Sequence, residues 1–297
     1  MEPFALKAMT SKPKFGDRAG YLMSLPYVFY FCLFIGFPLV FSFILIFHKW
    51  NIVTPMQWIG LRNFYRLFHD VQFFISIRNT LVFLSIHIPL QIVVALLLAV
   101  LLNQKIKLKG FFRALYFLPV IVSGVVITIL WQQLFAYETG LLNLLLTRIG
   151  LLKIPWLIDS GWAMPSIAIM ATWKNIGLYI VLFLVGLQGI PRYLYEAAEI
   201  DGARPIQQFF HITLPALNST MVLVVILSTI GGFSLFIEPF VMTGGGPMNS
   251  TLSAMLYIYN QAFYFGHMGY AATLGIFFAF LILIVVLIQK KFVERKD

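Results

Sequence analysis

The chain has 297 residues, of which 60% are hydrophobic and 11% charged, with a formal net charge of +10. A soluble domain carries about 25% charged residues; a chain with less than half that share cannot cover a globule with solvated side chains, and a lipid bilayer is the solvent that fits. The basic residues fall in short clusters between apolar runs rather than along one polar face, which argues for membrane topology and against nucleic-acid binding.

In chain order, residues 1–20 read as a polar, basic N-terminal tail. The first apolar run, Tyr21–Phe47, is far longer than the roughly 7–15 residues of a signal-peptide core and reads as a span. It holds the single cysteine, Cys32, expected to be a small packed residue, with no disulfide and no metal-ligand spacing available. Five more runs reach the ~20 apolar residues a span needs: Asn79–Leu102, Phe111–Phe135, Met164–Gln188, Ala216–Met242 and Tyr270–Gln289. Lipid offers the backbone no partners, so these are helices rather than open strands. The expected architecture is all-α: six transmembrane helices over residues 21–290, a loop at about 191–215, and a C-terminal tail at 291–297. No internal repeat is evident, which weakens a secondary-transporter reading.

Six spans put both termini on one side. Fourteen of the 21 Lys and Arg residues fall on that side: Lys7, Lys12, Lys14, Arg18, Lys105, Lys107, Lys109, Arg113, Arg192, Arg204, Lys290, Lys291, Arg295 and Lys296. The opposite loops hold Lys49, Arg62, Arg66, Arg78, Arg148 and Lys153, and Lys174 lies within a span. The excess places both termini in the cytoplasm. Trp50, Trp58, Trp156 and Trp162 in the outer loops, with Trp131 near a span end, fit an interfacial aromatic belt.

The loop between spans four and five runs from Pro191 to Pro215 on the cytoplasmic side of this topology. Pro191 suits a helix start, Leu194, Ala197, Ala198 and Asp201 recur at helical spacing, and Gly202 can end the helix in a left-handed conformation. Pro205 can begin a second helix with Ile206, Phe209 and Phe210. Periodicity alone also allows an amphipathic connector lying on the membrane surface. Glu196-Ala197-Ala198, then Gly202, then Ile212 and Leu214-Pro215 keep every spacing of the loop found in permease subunits of ATP-binding-cassette (ABC) importers. The chain resembles that family, and within it the maltose-type carbohydrate branch: Glu199–Ala203, Phe209–Pro215, Gly60–Phe64, Thr243–Pro247 with Ser250-Thr251, and Tyr257–Tyr259 are all similar. The additional N-terminal helices and large outer domain of some members have no counterpart here.

The resemblance implies a coupling helix that docks on a cytoplasmic ATPase, with Glu196 as the charged contact, Ala197 and Ala198 as the close-packing face, Asp201 beside them and Gly202 as the turn. It further implies a second related permease, two ATPase subunits that hold ATP and Mg, an extracytoplasmic solute-binding protein, and a sugar or oligosaccharide cargo, at the bacterial cytoplasmic membrane. No cofactor is expected on this chain.

Other residues are weighed on their chemistry. Thr243-Gly-Gly-Gly-Pro247 lacks the Lys-Ser/Thr of a phosphate loop and lies on the outer side, so it reads as a tight turn, and the chain is not expected to hydrolyse ATP. Ionisable groups inside spans default to functional candidates: Lys174, with Trp173, Asn175 and Tyr179 around it, and Glu238, with Ser234 one turn away. On straight helices the two charges differ in depth by about 10 Å, so a direct ion pair is not expected. His87 and Gln91, four apart around Pro89, suit hydrogen bonds between helices rather than a metal site. No nucleophile, base and orienter can be assembled into a catalytic group. The rival readings are an importer of the same family for a phosphorylated glycerol or another small solute, a self-sufficient secondary transporter or channel, and a membrane enzyme.

Overall fold

The computed structural model describes residues 15–104 and 107–293. Of the residues used in the charge count, Lys7, Lys12, Lys14, Lys105, Arg295 and Lys296 lie outside it. Five helices are long and apolar enough to cross a membrane, and a sixth crossing is made if one sharply bent helix pair is taken as a single span.

The first span, Gly20–Leu45, has only 6% of its apolar stretch buried within this chain. It stands at the edge of the bundle, against the last span. Cys32 is therefore exposed rather than packed in a core, contrary to the expectation from residue type. A two-residue hairpin pairs His48–Lys49 with Gln57–Trp58. Asn63, in the segment opened by the positive φ of Gly60, fastens this hairpin by donating to the carbonyls of Ile46 (2.8 Å) and His48 (3.1 Å).

The second span begins earlier than its apolar run suggests, at Val71, and continues to Asn103. Asp70 caps it, its Oδ1 accepting from the Phe73 amide at 3.1 Å, an N-cap choice with a direct physical cause. At 33 residues it is about 50 Å long and links the two ends of the molecule. It packs most extensively on the fourth span, Ala163–Gln188.

Two spans expected to be continuous are broken. The third is two helices, Gly110–Ile121 and Gly124–Leu134, set at 99°. Pro119 removes a hydrogen-bond donor just before the break, and Val122 and Ser123 take extended backbone angles. The fifth helix stops at Phe233, and Ile237–Met242 forms a separate short helix. The first half of the third span lies against the fourth because Gly177 has no side chain: a Cβ there would sit 2.2 Å from the Tyr116 carbonyl oxygen.

The bundle has two apolar cores. One gathers Phe73, Phe83, Phe135, Ile167, Met170, Phe233 and Leu274. The other gathers Leu96, Ile180, Phe183, Leu187, Leu217 and Val224. Trp156 packs against the first and donates to Asn143 Oδ1 at 3.0 Å, which fastens the loop in which it stands.

Candidate functional site

The second, fourth and fifth spans each carry polar residues between their contributions to the two cores. His87 Nδ1 meets Thr172 Oγ1 at 2.8 Å, and Ser228 donates to Gln91 Oε1 at 2.8 Å. Both bonds cross between helices, as the spacing of His87 and Gln91 suggested. Gln91 Nε2 and Thr229 Oγ1 are buried with no hydrogen-bond partner among the described residues. Buried polar atoms of this kind are rare; Ser228, which bonds Gln91 and precedes Thr229, lines a cleft.

That cleft has a volume of about 370 Å³, and Lys174, Asn175, Tyr179, Ser228, Ser234 and Glu238 lie on its walls. Lys174 Nζ and Glu238 Oε1 are 2.8 Å apart, with side chains 17% and 9% exposed. Straight helices would hold the two charges about 10 Å apart in depth, but the fifth span is not straight. The fifth span's helix ends at Phe233, and the turn through Ser234–Phe236 brings Glu238 to the lysine. Gly124, which opens the second half of the bent third span, lies beside the same ammonium: a Cβ there would be 3.1 Å from Lys174 Nζ. Two helix breaks thus converge on one ion pair.

The remaining expected residues divide. Asn175 donates Nδ2 to the Ala171 carbonyl at 2.9 Å, leaving its amide oxygen for other partners. Ser234 donates to Ile230 O at 3.1 Å. Trp173 is 44% exposed and packs on Trp131, ring centroids 5.4 Å apart; it is not on the cleft wall. With the two charges paired to each other, the cleft wall is polar without a net charge, which suits hydroxyls and amides better than an isolated ion.

The Pro191–Pro215 segment is a helix, a glycine turn and a second helix. The first helix is Arg192–Ile200. Gly202, at φ +79°, closes it, with Gly202 N bonded to Glu199 O at 3.0 Å and Ala203 N to Ala198 O at 2.9 Å, the paired bonds of a Schellman cap. Pro205 begins the next helix, and Gln207 Oε1 accepts from the Arg204 amide at 2.7 Å. Tyr195 and Thr213 join the two limbs through their hydroxyls at 2.8 Å, and Leu194, Tyr195, Phe209 and Ile212 pack onto the second core. Glu196, Ala197, Asp201 and Gly202 face outward, and Ala198 is half-buried. Asn103, at the end of the second span, shares a cleft with Tyr195 and Glu196, so this segment lies at the end of the bundle remote from Asp70.

Sequence reasoning passed over the cluster around Asp70. Its Oδ2 accepts the hydroxyls of Tyr257 (2.6 Å) and Tyr270, and Gln261 Nε2 donates to Tyr257 at 2.9 Å. Burial, followed by the bond to Asp70, raises the Tyr257 phenol well above its ordinary pKa. The N-cap signal of an acid before an apolar run was readable; its partners, nearly two hundred residues away, were not. The turn Thr243–Pro247 is held by Thr251, which meets Thr243 Oγ1 at 2.7 Å and donates to Gly246 O at 2.7 Å.

Residues 91–297 match the family model described as "Binding-protein-dependent transport system inner membrane component". The chain is 38% identical over 278 residues to the probable ABC transporter permease protein YurN of Bacillus subtilis (strain 168), covering 90% of this chain and 95% of that one. It is 36% identical over 278 residues to the arabinooligosaccharides transport system permease protein AraP of the same organism, covering 92% and 88%. Among solved structures, a chain of a bacterial alginate ABC transporter, in complex with an alginate pentasaccharide-bound periplasmic protein, superposes with a TM-score of 0.80 at 26% identity, over 93% of this chain and 94% of that one.

Proposed function

The chain belongs to the family of inner membrane components of binding-protein-dependent transport systems, as a multi-pass permease subunit of the ABC type, and we propose that it passes a neutral sugar or oligosaccharide into the cytoplasm. Oligosaccharide cargo is supported by the arabinooligosaccharide system among its relatives; the alginate system it superposes on carries an acidic polysaccharide, so neutrality of the cargo rests on the charge-balanced polar cleft. Lys174, Asn175, Tyr179, Ser234 and Glu238 offer hydrogen bonds and one aromatic face to a pyranose; Trp173 stands outside that set.

In this reading both termini and the Pro191–Pro215 segment face the cytoplasm, where the outward-facing Glu196, Ala197, Asp201 and Gly202 meet one of two ATPase subunits that hold ATP and Mg. A second permease completes the pathway and a binding protein delivers cargo from outside. The observation that carries the coupling role is the capped helix–glycine–helix segment, anchored on the second core while its motif residues point outward. Closure of the ATPase pair pushes this segment, the core transmits the push to the second, fourth and fifth spans, and the cleft between the cores changes access. Such coupling needs an element that both sites bias.

The test is ATP-dependent uptake of a labelled neutral oligosaccharide in proteoliposomes holding the assembled complex. Uptake is expected only with both the ATPase subunits and the loaded binding protein. Ion-driven uptake by this chain alone, or uptake confined to phosphorylated solutes, overturns the reading.

A further inference from the structure

At the Asp70 end of the bundle, a larger cleft of about 630 Å³ opens between the hairpin region and the start of the last span. Lys49, Arg62, Arg66 and His267 lie on its walls, with Asn51, Thr54 and Gln57 among the polar remainder and no carboxylate. Arg66 is fixed: its guanidinium lies 3.9 Å over the Tyr270 ring, and Nη2 is 3.3 Å from Gln261 Oε1. Lys49 and Arg62 are exposed, and among the described residues their side chains have no ion-pair or hydrogen-bond partner. Asp70 is not on the cleft wall; its carboxylate, held by the Phe73 amide and two tyrosine hydroxyls, offsets part of the charge of Arg66, which stacks on the same Tyr270, while Lys49 and Arg62 stay unpaired among the described residues. Burial, and after it the charges of Arg66 and Lys49, lower the His267 pKa, so the imidazole adds no charge near neutral pH.

We propose that this cleft receives an aspartate or glutamate side chain of the extracytoplasmic binding protein when that protein docks. The proposal rests on the reading of the chain as a binding-protein-dependent permease. Three cations around one opening with no acid between them form a site for a carboxylate, which a guanidinium can hold in a two-pronged contact. The walls come mainly from residues 49–66 and 265–267, between and beyond the spans, so a ligand enters from water rather than from the plane of the bilayer. The volume exceeds what a free carboxylate fills and admits a side chain with part of its loop. The second span, about 50 Å long, puts this cleft at the opposite end from the segment assigned to the ATPase.

The experiment uses the whole complex in nanodiscs and measures ATPase activity against the concentration of loaded binding protein. Lys49→Gln with Arg62→Gln should raise the half-maximal concentration at least tenfold, leave the maximal rate within about twofold, and flatten the salt dependence, as loss of steering charge does. Lys49→Glu with Arg62→Glu should be worse, and reversing one acid on the binding protein should restore it. An unchanged half-maximal concentration in both double variants overturns the proposal, provided the unmodified complex responds to the binding protein. A complex that never responds overturns the permease reading instead. A defect that follows the anionic-lipid content of the nanodisc, and not the binding protein, overturns the proposal in favour of a lipid site.

Discussion

Lys174 and Glu238 form a 2.8 Å ion pair between the fourth span and the short helix that follows the break in the fifth. Removing one partner of a buried pair strands the other charge, at a cost of about 3–5 kcal/mol. Lys174→Ala and Glu238→Ala should each lower the melting temperature of the complex and abolish uptake. The double variant Lys174→Ala/Glu238→Ala should melt higher than either single variant, because no stranded charge is left. Equal or additive destabilisation in the double variant, read by thermal unfolding in detergent, would show that the pair is not coupled.

Gly202 tests the loop. A Cβ there would meet nothing within 4 Å, so the glycine is required only for its φ of +79°. A left-handed L-residue costs about 1–2 kcal/mol. Gly202→Asn should be tolerated better than Gly202→Val, with insertion intact in both. Glu196→Lys, which leaves the backbone alone, should uncouple uptake from ATP hydrolysis by reversing an outward-facing charge. Normal coupled uptake by Glu196→Lys would remove this residue from the ATPase contact.

These two cases also show what the sequence could and could not reveal. The span count, the turn at Gly202 and the second helix start at Pro205 are local signals, set by apolar run length, a single left-handed residue and a proline ring. The Lys174–Glu238 pair was misjudged because apolarity does not register a break: residues 111–135 and 216–242 are mostly hydrophobic, whether straight or bent. Pro119 marks the first break, and Gly231-Gly232 and Pro239 flank the second; such residues weaken a helix without fixing the direction of its bend. The exposure of Cys32 was missed for a related reason. Composition says that a residue is apolar, but the neighbour that covers it is fixed by packing. The Asp70 knot depends on contacts with residues 257, 261 and 270, which periodicity cannot pair.

Sidedness is tested by accessibility. Cysteines at Lys107 and Gln207 should react with an impermeant maleimide only from the cytoplasmic face. Cysteines at Thr54 and at Met248, which is 93% exposed, should react only from outside. The basic residues of the loops set this direction. Labelling of Gln207→Cys from outside intact cells would invert the topology, and with it the assignment of the two ends of the bundle.

The cleft makes a prediction about cargo that separates its wall from its surroundings. Asn175 spends its Nδ2 on its own helix at 2.9 Å, so a cargo hydroxyl would donate to its Oδ1. Tyr179 lines the same space. Loss of one neutral hydrogen bond is worth about 0.5–1.5 kcal/mol, or about 2- to 10-fold in transport efficiency. Asn175→Ala and Tyr179→Phe should each lower the efficiency of uptake by that factor while the complex assembles normally. Trp173→Ala, outside the cleft and against Trp131, should change it less than twofold. The readout is initial uptake rate against loaded binding-protein concentration in proteoliposomes, with the ATPase response measured in parallel. A cleft-wall variant that transports like the unmodified complex, beside a Trp173→Ala that does not, would move the cargo path from the space between the two cores to the exposed face of the fourth span.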